Sequence, residues 1–393
     1  MLKLKASVGQ QGNDNIGSYR YTDLFDIINS AGNVATQFSF KGSRAITWET
    51  NGNFNAGIEF GLFGSRLTGG VDYFYRKTTD MLFSFPVAPS MGYSSYWANV
   101  GDMKNSGIEL ELNANLISTR NFNWDVNANI TYVSNKILKL DPEKKTTKVY
   151  DRYGNMYEGY ASGNNFIAEG VSMYSWYLKE YAGVDPETGE SLWYKNTFNE
   201  DVPEGEDNVW TGRETTTKYA EADYYVTGEK GIAPFYGGFG TTVEFFGFDF
   251  SINCSYQFGA KTYDSTYANF MNTPTNTHLG YHMHQDVLNA WTPTSASDIP
   301  RWQYNDTYSA ASSTRFLISN HYLNIENINF GYTFPARLTK KMDISSLRLY
   351  VAADNVGYIS ARQGLDPRQG YGSSNATTYS PMRTVSGGIT VKF

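Results

Sequence analysis

Apolar and polar side chains alternate one for one along this chain, in stretches about twice the length of an ordinary soluble strand. From residue 107, GIELELNANLI places Ile108, Leu110, Leu112, Ala114 and Leu116 on one face and Glu109, Glu111, Asn113 and Asn115 on the other. NWDVNANITY repeats the pattern with Trp124, Val126, Ala128, Ile130 and Tyr132; FDFSINCSYQF repeats it with Phe248, Phe250, Ile252, Cys254, Tyr256 and Phe258. Phe54 to Leu62, Leu67 to Tyr75 and Leu347 to Ala353 behave alike. A period of two sends successive side chains to opposite faces of a sheet. Stretches of this length match the roughly 9–11 residues of a tilted strand that crosses a bilayer. The polar faces are rich in Asn, Ser, Thr, Asp and Gln, which suits a watery lumen. Alternation by itself also fits a soluble sandwich.

Composition narrows the choice. Aromatic residues make up 16% of the 393 and charged residues only 18%, against about a quarter in ordinary soluble domains. Mean hydropathy is −0.46, and no run approaches the roughly 20 apolar residues of a spanning helix, so a helical membrane bundle is excluded. A formal net charge of −7 argues against a nucleic-acid binder, which needs a basic patch or stripe. The single cysteine, Cys254, excludes a disulfide framework and a thiolate metal cluster. The first residues, MLKLKASVGQQ, lack the apolar core and small-residue cleavage site of a signal peptide. They read as the middle of a strand, so the expectation is a piece whose beginning lies elsewhere.

Connection lengths favour a membrane barrel. Phe63-Gly64-Ser65, Ser118-Thr119-Arg120, the DPETGE run 185–190 and Phe246-Gly247 read as tight turns. Segments 10–52, 83–103, 139–171, 197–233, 263–320 and 359–379 read as long aromatic loops. Compact soluble domains rarely hold so many long loops, whereas outer-membrane barrels alternate short periplasmic turns with long extracellular loops. About twelve strands are expected, near 2–9, 53–63, 66–80, 105–117, 122–137, 172–183, 191–196, 234–246, 248–260, 321–334, 345–357 and 382–393. A phase break between Ile325 and Ile328 suggests a bulge in YLNIENINFGYTF. One helix is expected, His284 to Trp291. The last strand sets Val385, Gly387, Ile389, Val391 and Phe393 on one face and ends on phenylalanine. Of these, Val385, Ile389, Val391 and Phe393 read as an outer-membrane sorting signal.

Residues 92–116, GYSSYWANVGDMKNSGIELELNANL, closely resemble a hallmark stretch of SusC/RagA-type TonB-dependent outer-membrane transporters. So do 46–82, 181–194 (YAGVDPETGESLWY), 284–301 (HQDVLNAWTPTSASDIPR) and 321–358, in order and over almost the whole chain. The resemblance implies an all-β, antiparallel, up-and-down transmembrane β-barrel of the 22-stranded, plugged type. Residues 1–393 would be its carboxy-terminal part, possibly seen as an open half-barrel. It also implies energised import of glycans or peptides across the outer membrane of a Gram-negative bacterium. The implied partners are a TonB complex acting through amino-terminal parts not in this sequence, a SusD-like surface lipoprotein and outer-membrane lipid. Loops 10–52, 83–103 and 263–320 would form the lipoprotein's docking rim. The competing readings are a passive porin or surface adhesin barrel and a secreted carbohydrate-binding sandwich.

Individual constellations add little chemistry. Glu109 and Glu111 sit two apart on one strand face, roughly 7 Å, within the range of an inverting glycosidase pair; with no pocket or aromatic subsite legible beside them, they read instead as a lumen-facing polar row with no chemistry. His278, His282, His284 and Asp286 are the one metal-like cluster, and an exposed loop accounts for them without a metal. Cys254 falls in the apolar register as a small hydrophobe, and GGFG at 237–240 is followed by no helix that would make it a phosphate loop. No catalytic, cofactor or metal residue is assigned, and no enzyme activity is expected. The candidates for ligand contact are Tyr93, Tyr96, Trp97 and Asn99, whose ring faces and amide could hold sugars or peptide side chains. Tyr150, Tyr153, Tyr157 and Tyr160 divide between an interfacial girdle, loop packing and ligand.

Overall fold

The computed structural model describes all residues except 31, 200–207, 275–279, 281, 363 and 370–378. Among the described residues, ten long strands form one continuous antiparallel sheet in chain order. They are β1 (Leu2–Asn13), β2 (Glu49–Leu62), β3 (Leu67–Thr79), β4 (Gly101–Ser118), β5 (Phe122–Leu140), β6 (Phe235–Phe245), β7 (Phe248–Phe258), β8 (Tyr322–Thr333), β9 (Ser346–Ser360) and β10 (Thr384–Lys392). The sheet is open, with β1 and β10 as its edges. Up-and-down order and strands of up to 19 residues exclude the sandwich reading, which needs two stacked sheets.

Register carries the alternation from strand to strand. Val71 faces Leu110, and Leu110 faces Ile130; Phe239 faces Cys254, and Phe250 faces Phe330; Leu349 faces Ile389. One side of the sheet is therefore apolar along most of its height and carries Ile58, Val71, Ile108, Phe239, Phe330 and Val351, all exposed. In water such a face would aggregate; against hydrocarbon it is at home. Paired backbone groups make the wall viable there, because lipid offers nothing else to bond them.

The bulge lies where the phase break predicts it. Against β7, Asn253 pairs with Asn327 and Cys254 with Ile325, leaving Glu326 as the extra residue; against β9, Ile325 pairs with Gly357 and Asn327 with Asp354, so β9 carries an extra residue of its own at Asn355–Val356. A second bulge departs from the sequence reading. Asn115 pairs with Asp125 but Ile117 with Trp124, so Leu116 is the inserted residue and Ile117 takes the place across from Trp124. Two consecutive apolar residues leave the phase undecided there, and the pairing of the next strand resolves it.

The count of twelve is corrected to ten. Segments 172–183 and 191–196 lie outside the long sheet, within the β5–β6 connection. Ser175–Lys179 closes a small barrel with Thr147–Tyr150, Met156–Ser162, Asn165–Ala168 and Tyr224–Lys230. Tyr181–Val184, Ser191–Asn199 and Val209–Thr216 form a separate three-stranded sheet. The 185–190 turn therefore joins strands of this cap, not of the wall. Trp176 and Leu178 alternate like a lipid face yet are fully buried; a period of two does not say whether lipid or protein covers the apolar side. Removing a pair of strands preserves parity, so short turns still fall on one side of the wall and long connections on the other.

The expected helix is also shorter than read. Gln285–Asn289 is a 3₁₀ turn capped by His284, while an α-helix absent from the sequence reading spans Ser265–Phe270 under an Asp264 cap. No helix among the described residues is long and apolar enough to cross a membrane.

Hydrophobic burial from water is concentrated on the long-connection side. One core gathers Met81, Phe85, Val100, Ile137, Leu140, Tyr160 and Ile167; another gathers Trp176, Leu178, Tyr263, Met271 and Phe316. The loops thus fold as a packed cap on a lipid-facing wall.

Gly107 is one of the glycines that let groups of the inner face pack closely. A side chain at Gly107 would run into the Tyr132 carbonyl and the Phe74 ring, and Phe74 is buried. Aromatic cover over a strand glycine is a known way to pin register. Gly107→Val is expected to cost about 1–3 kcal/mol by overpacking. The check is a lower temperature for loss of heat-modifiable migration, with Gly9→Val, whose site has open space, as the control.

Candidate functional site

Two surfaces can meet a solute: the polar inner wall and the cap above it. On the wall, Lys5, Glu59, Asp72, Glu109, Glu111, Asn113, Asn129 and Thr131 line a recess of about 460 Å³. Lys3 and Lys5 each lie 3.1 Å from Glu59, and Lys5 lies 2.9 Å from Asp72. Such exposed pairs add little stability; their effect is a hydrated surface of mixed sign. Glu109 and Glu111 belong to this row, and Glu111 accepts a bond from the Asn113 amide at 3.1 Å. Near the short turns, Arg348 holds Asp249 through two bonds of 2.9 and 2.5 Å, passing over Gly331.

The sequence-derived ligand candidates sit in a cap hairpin, Leu82–Pro86 paired with Ser95–Asn99. Tyr93 and Tyr96 come together edge to face at 6.4 Å, and Tyr93 also meets Phe38 at 6.0 Å. The Tyr96 hydroxyl accepts a 2.5 Å bond from the buried Lys144 ammonium, which also lies 4.7 Å from the Phe85 ring centre. Trp97 is half-buried beside them. Asn99 joins two connections: its Oδ1 accepts from the Thr47 N–H at 2.9 Å, and its Nδ2 donates to the Thr47 and Asp80 carbonyls at 3.0 and 2.6 Å. The second tyrosine group lies in the cap, not in a girdle. Tyr160 is buried against Phe85 at 4.8 Å, and burial raises its phenol well above the ordinary range; Tyr150 packs on Phe198 at 5.5 Å, and Tyr153 is exposed.

A further cleft, of about 540 Å³, escaped the sequence reading. It is lined by Glu190, Trp193, Lys218, Tyr219, Arg301, Gln303 and Tyr308, among others. Tyr219 stacks on Tyr308 at 5.6 Å and meets Trp193 edge-on at 5.1 Å. Burial, followed by the nearby Tyr224, pushes the Tyr219 hydroxyl up, and burial pulls the Lys179 ammonium beside it down. Arg301 holds the 185–190 turn: Nη2 lies 2.7 Å from Glu190, Nη1 donates to the Thr188 carbonyl at 3.2 Å, and its N–H donates to Gly189 at 2.8 Å. Gly189 has φ +72°, and a side chain there would meet the Trp291 ring. The available signal was the pair of stretches 181–194 and 284–301, which prove to be in contact.

The histidine cluster divides. His278 lies outside the described residues. His284 Nδ1 accepts the Asp286 N–H at 3.2 Å as a helix cap, and the Asp286 carboxylate takes the Tyr267 hydroxyl at 2.6 Å. Among the described residues no three His, Cys, Asp or Glu side chains are grouped to hold a metal ion. Cys254 is buried in the apolar register opposite Phe239. Val385, Ile389 and Val391, which the sequence offers as a sorting signal together with Phe393, pair with Ala353, Leu349 and Leu347 on the outer face, and Phe393 is exposed.

An apolar outer wall, a polar inner wall, short turns on one side and a folded cap on the other define an outer-membrane β-barrel wall. Residues 2–273 match the family described as TonB dependent receptor-like, beta-barrel, and the chain belongs to that family. It is 25% identical over 410 residues to TonB-dependent receptor P3 of Formosa agariphila, a match that covers all of this chain and 39% of the relative. It is 26% identical over 412 residues to TonB-dependent receptor SusC of Bacteroides thetaiotaomicron, covering all of this chain and 37% of that one. The solved structure of the RagAB peptide transporter superposes with a TM-score of 0.82 at 26% identity, over all of this chain and 41% of the solved chain. The chain therefore spans about two fifths of the length of these relatives.

Proposed function

We propose that residues 1–393 are the carboxy-terminal portion of the barrel of a TonB-dependent importer of glycans or peptides. The observation that carries this is the end-to-end match to receptors of that kind, at a TM-score of 0.82 with the RagAB peptide transporter. A hydrated inner wall beneath an aromatic cap supports the same reading. The chain's part is to enclose the path and select what enters; it performs no chemistry of its own. Energy reaches the path from a TonB complex, and a SusD-like surface lipoprotein docks on the cap. Within the hairpin, Tyr93, Tyr96 and Trp97 supply ring faces to the cargo, and Asn99 sets the hairpin's position. Uptake of a panel of labelled glycans and peptides by cells that carry the whole receptor tests the import reading. Uptake that persists without TonB would overturn it.

Docking is tested at points, not by deletion, because 263–320 contributes Tyr263, Met271 and Phe316 to a buried core. Ile27, Val34 and Leu288 are 79%, 84% and 88% exposed. Changing all three to Asp is expected to abolish co-purification with the lipoprotein while heat-modifiable migration stays intact. Retained co-purification would remove the proposed rim.

Val385, Ile389, Val391 and Phe393 serve as the assembly signal in this reading. Deleting Phe393 is expected to lower the outer-membrane amount several-fold with little change in synthesis, measured by fractionation and pulse labelling.

A further inference from the structure

Three lysines stand side by side on the outer face of the wall. Lys77 on β3 pairs with Lys104 on β4, and Lys104 pairs with Lys136 on β5. Counting by twos along each strand places them on the same face as Tyr73 and Tyr75, Ile108, and Tyr132, which is the lipid-facing side. Tyr75 lies two residues below Lys77, roughly 7 Å along the strand, so the row sits just beyond the aromatic boundary on the long-connection side. That is the headgroup level of the outer leaflet.

Like charges directly opposite each other destabilise a sheet. Here only Lys77 is compensated, by Asp102 at 3.2 Å; neither Lys104 nor Lys136 has a hydrogen-bond or ion-pair partner among the described residues. The basic surface continues into a recess of about 190 Å³ above Lys136, where Arg152 and Lys230 join it. Asp151 also lines the recess, accepting from the Tyr153 and Asn155 N–H groups and the Asn155 amide, and Arg152 is paired with Glu180 at 2.8 Å, so Lys230 is the cation the recess adds.

We propose that the Lys77–Lys104–Lys136 row is a binding site for a phosphate-bearing lipid of the outer leaflet, its headgroup phosphate bridging Lys104 and Lys136. The charge is complementary, the height is that of a headgroup, and the apolar face below receives acyl chains. A membrane lipid approaches this face naturally, whereas a soluble anion would have to reach it through the headgroup layer. The proposal rests on membrane placement alone, so it stands or falls independently of the cargo.

The test uses the whole receptor in nanodiscs of phosphatidylcholine doped with either monophosphorylated or dephosphorylated lipid A. Retained lipid is counted by native mass spectrometry. The expected result is selective retention of the phosphorylated form. Lys104→Gln with Lys136→Gln should weaken it roughly fivefold per lysine and about thirtyfold together. Lys104→Arg with Lys136→Arg should keep it, as should Lys340→Gln with Lys341→Gln on the opposite side of the wall. In lipid-free detergent the double Gln variant should melt no lower than the parent, since repulsion is relieved, and only the parent should gain stability from the phosphorylated lipid. Equal retention of both lipids, full retention by the Gln variant, loss in the Arg variant, or displacement by millimolar inorganic phosphate would each overturn the proposal.

Discussion

Produced without the remainder of a receptor barrel, residues 1–393 are expected to aggregate, or to insert into liposomes only as a leaky, non-selective pore. The physical reason lies at the two edges of the sheet. β1 pairs only with β2, and β10 only with β9. Every residue of β1 is exposed, as are all but one of β10. In hydrocarbon each unsatisfied backbone group costs several kcal/mol, so two unpaired edges carry a large penalty against insertion. Forcing the edges together would close a far tighter cylinder than a 22-stranded barrel has. Dye release from liposomes, set beside uptake of labelled cargo, reads the outcome. Saturable, TonB-dependent uptake by this chain alone would show the argument to be wrong.

A second large effect is expected in the cap. Glu180 has a side chain only 6% exposed and lies between Arg213 at 2.6 Å and Arg152 at 2.8 Å. Arg213 in turn covers the Tyr194 ring at 4.2 Å. It therefore ties the three-stranded sheet to the small barrel through one carboxylate. Removing one partner of a buried pair leaves uncompensated charge, a change worth about 3–5 kcal/mol. Arg152 is partly open to water, which places Glu180→Ala near the lower end, about 3 kcal/mol. Local opening of the cap should rise by roughly a hundredfold, read as faster proteolysis within 141–234 with unchanged heat-modifiable migration of the whole receptor. Glu158→Ala is the contrast: Glu158 faces Lys148 at 4.0 Å with both side chains exposed, and its loss should be near neutral. Equal proteolysis of the two variants would mean that Glu180 does not hold the cap.

Most of the wall was legible in the sequence, the Leu116 bulge excepted. A strand alternating Ile108, Leu110 and Leu112 with Glu109 and Glu111 has one geometry that suits both faces, and its neighbours must match it in register or expose every apolar side chain to the lumen. The same constraint made the Glu326 bulge visible, because Ile325 and Ile328 cannot share a face without an extra residue. Turn chemistry located Phe63-Gly64-Ser65 and Phe246-Gly247, where positive φ angles are observed. These features depend on near neighbours in sequence or on a strict period.

The cap was not legible, for reasons that are equally physical. Trp176 and Leu178 alternate as a membrane strand would, and only the packing of Phe316 and Tyr263 against them shows that protein covers them. The cleft at Tyr219 and Tyr308 joins residues 89 positions apart, and no local pattern announces that pairing. Asn99 read as a free amide until Thr47 and Asp80 appeared beside it. The lysine row stands between these cases: each lysine is unremarkable alone, and only strand register sets Lys77, Lys104 and Lys136 abreast. Periodicity dictates which way a side chain points, because the backbone repeat is local. What it meets there depends on contacts between distant segments, which only the folded chain brings together.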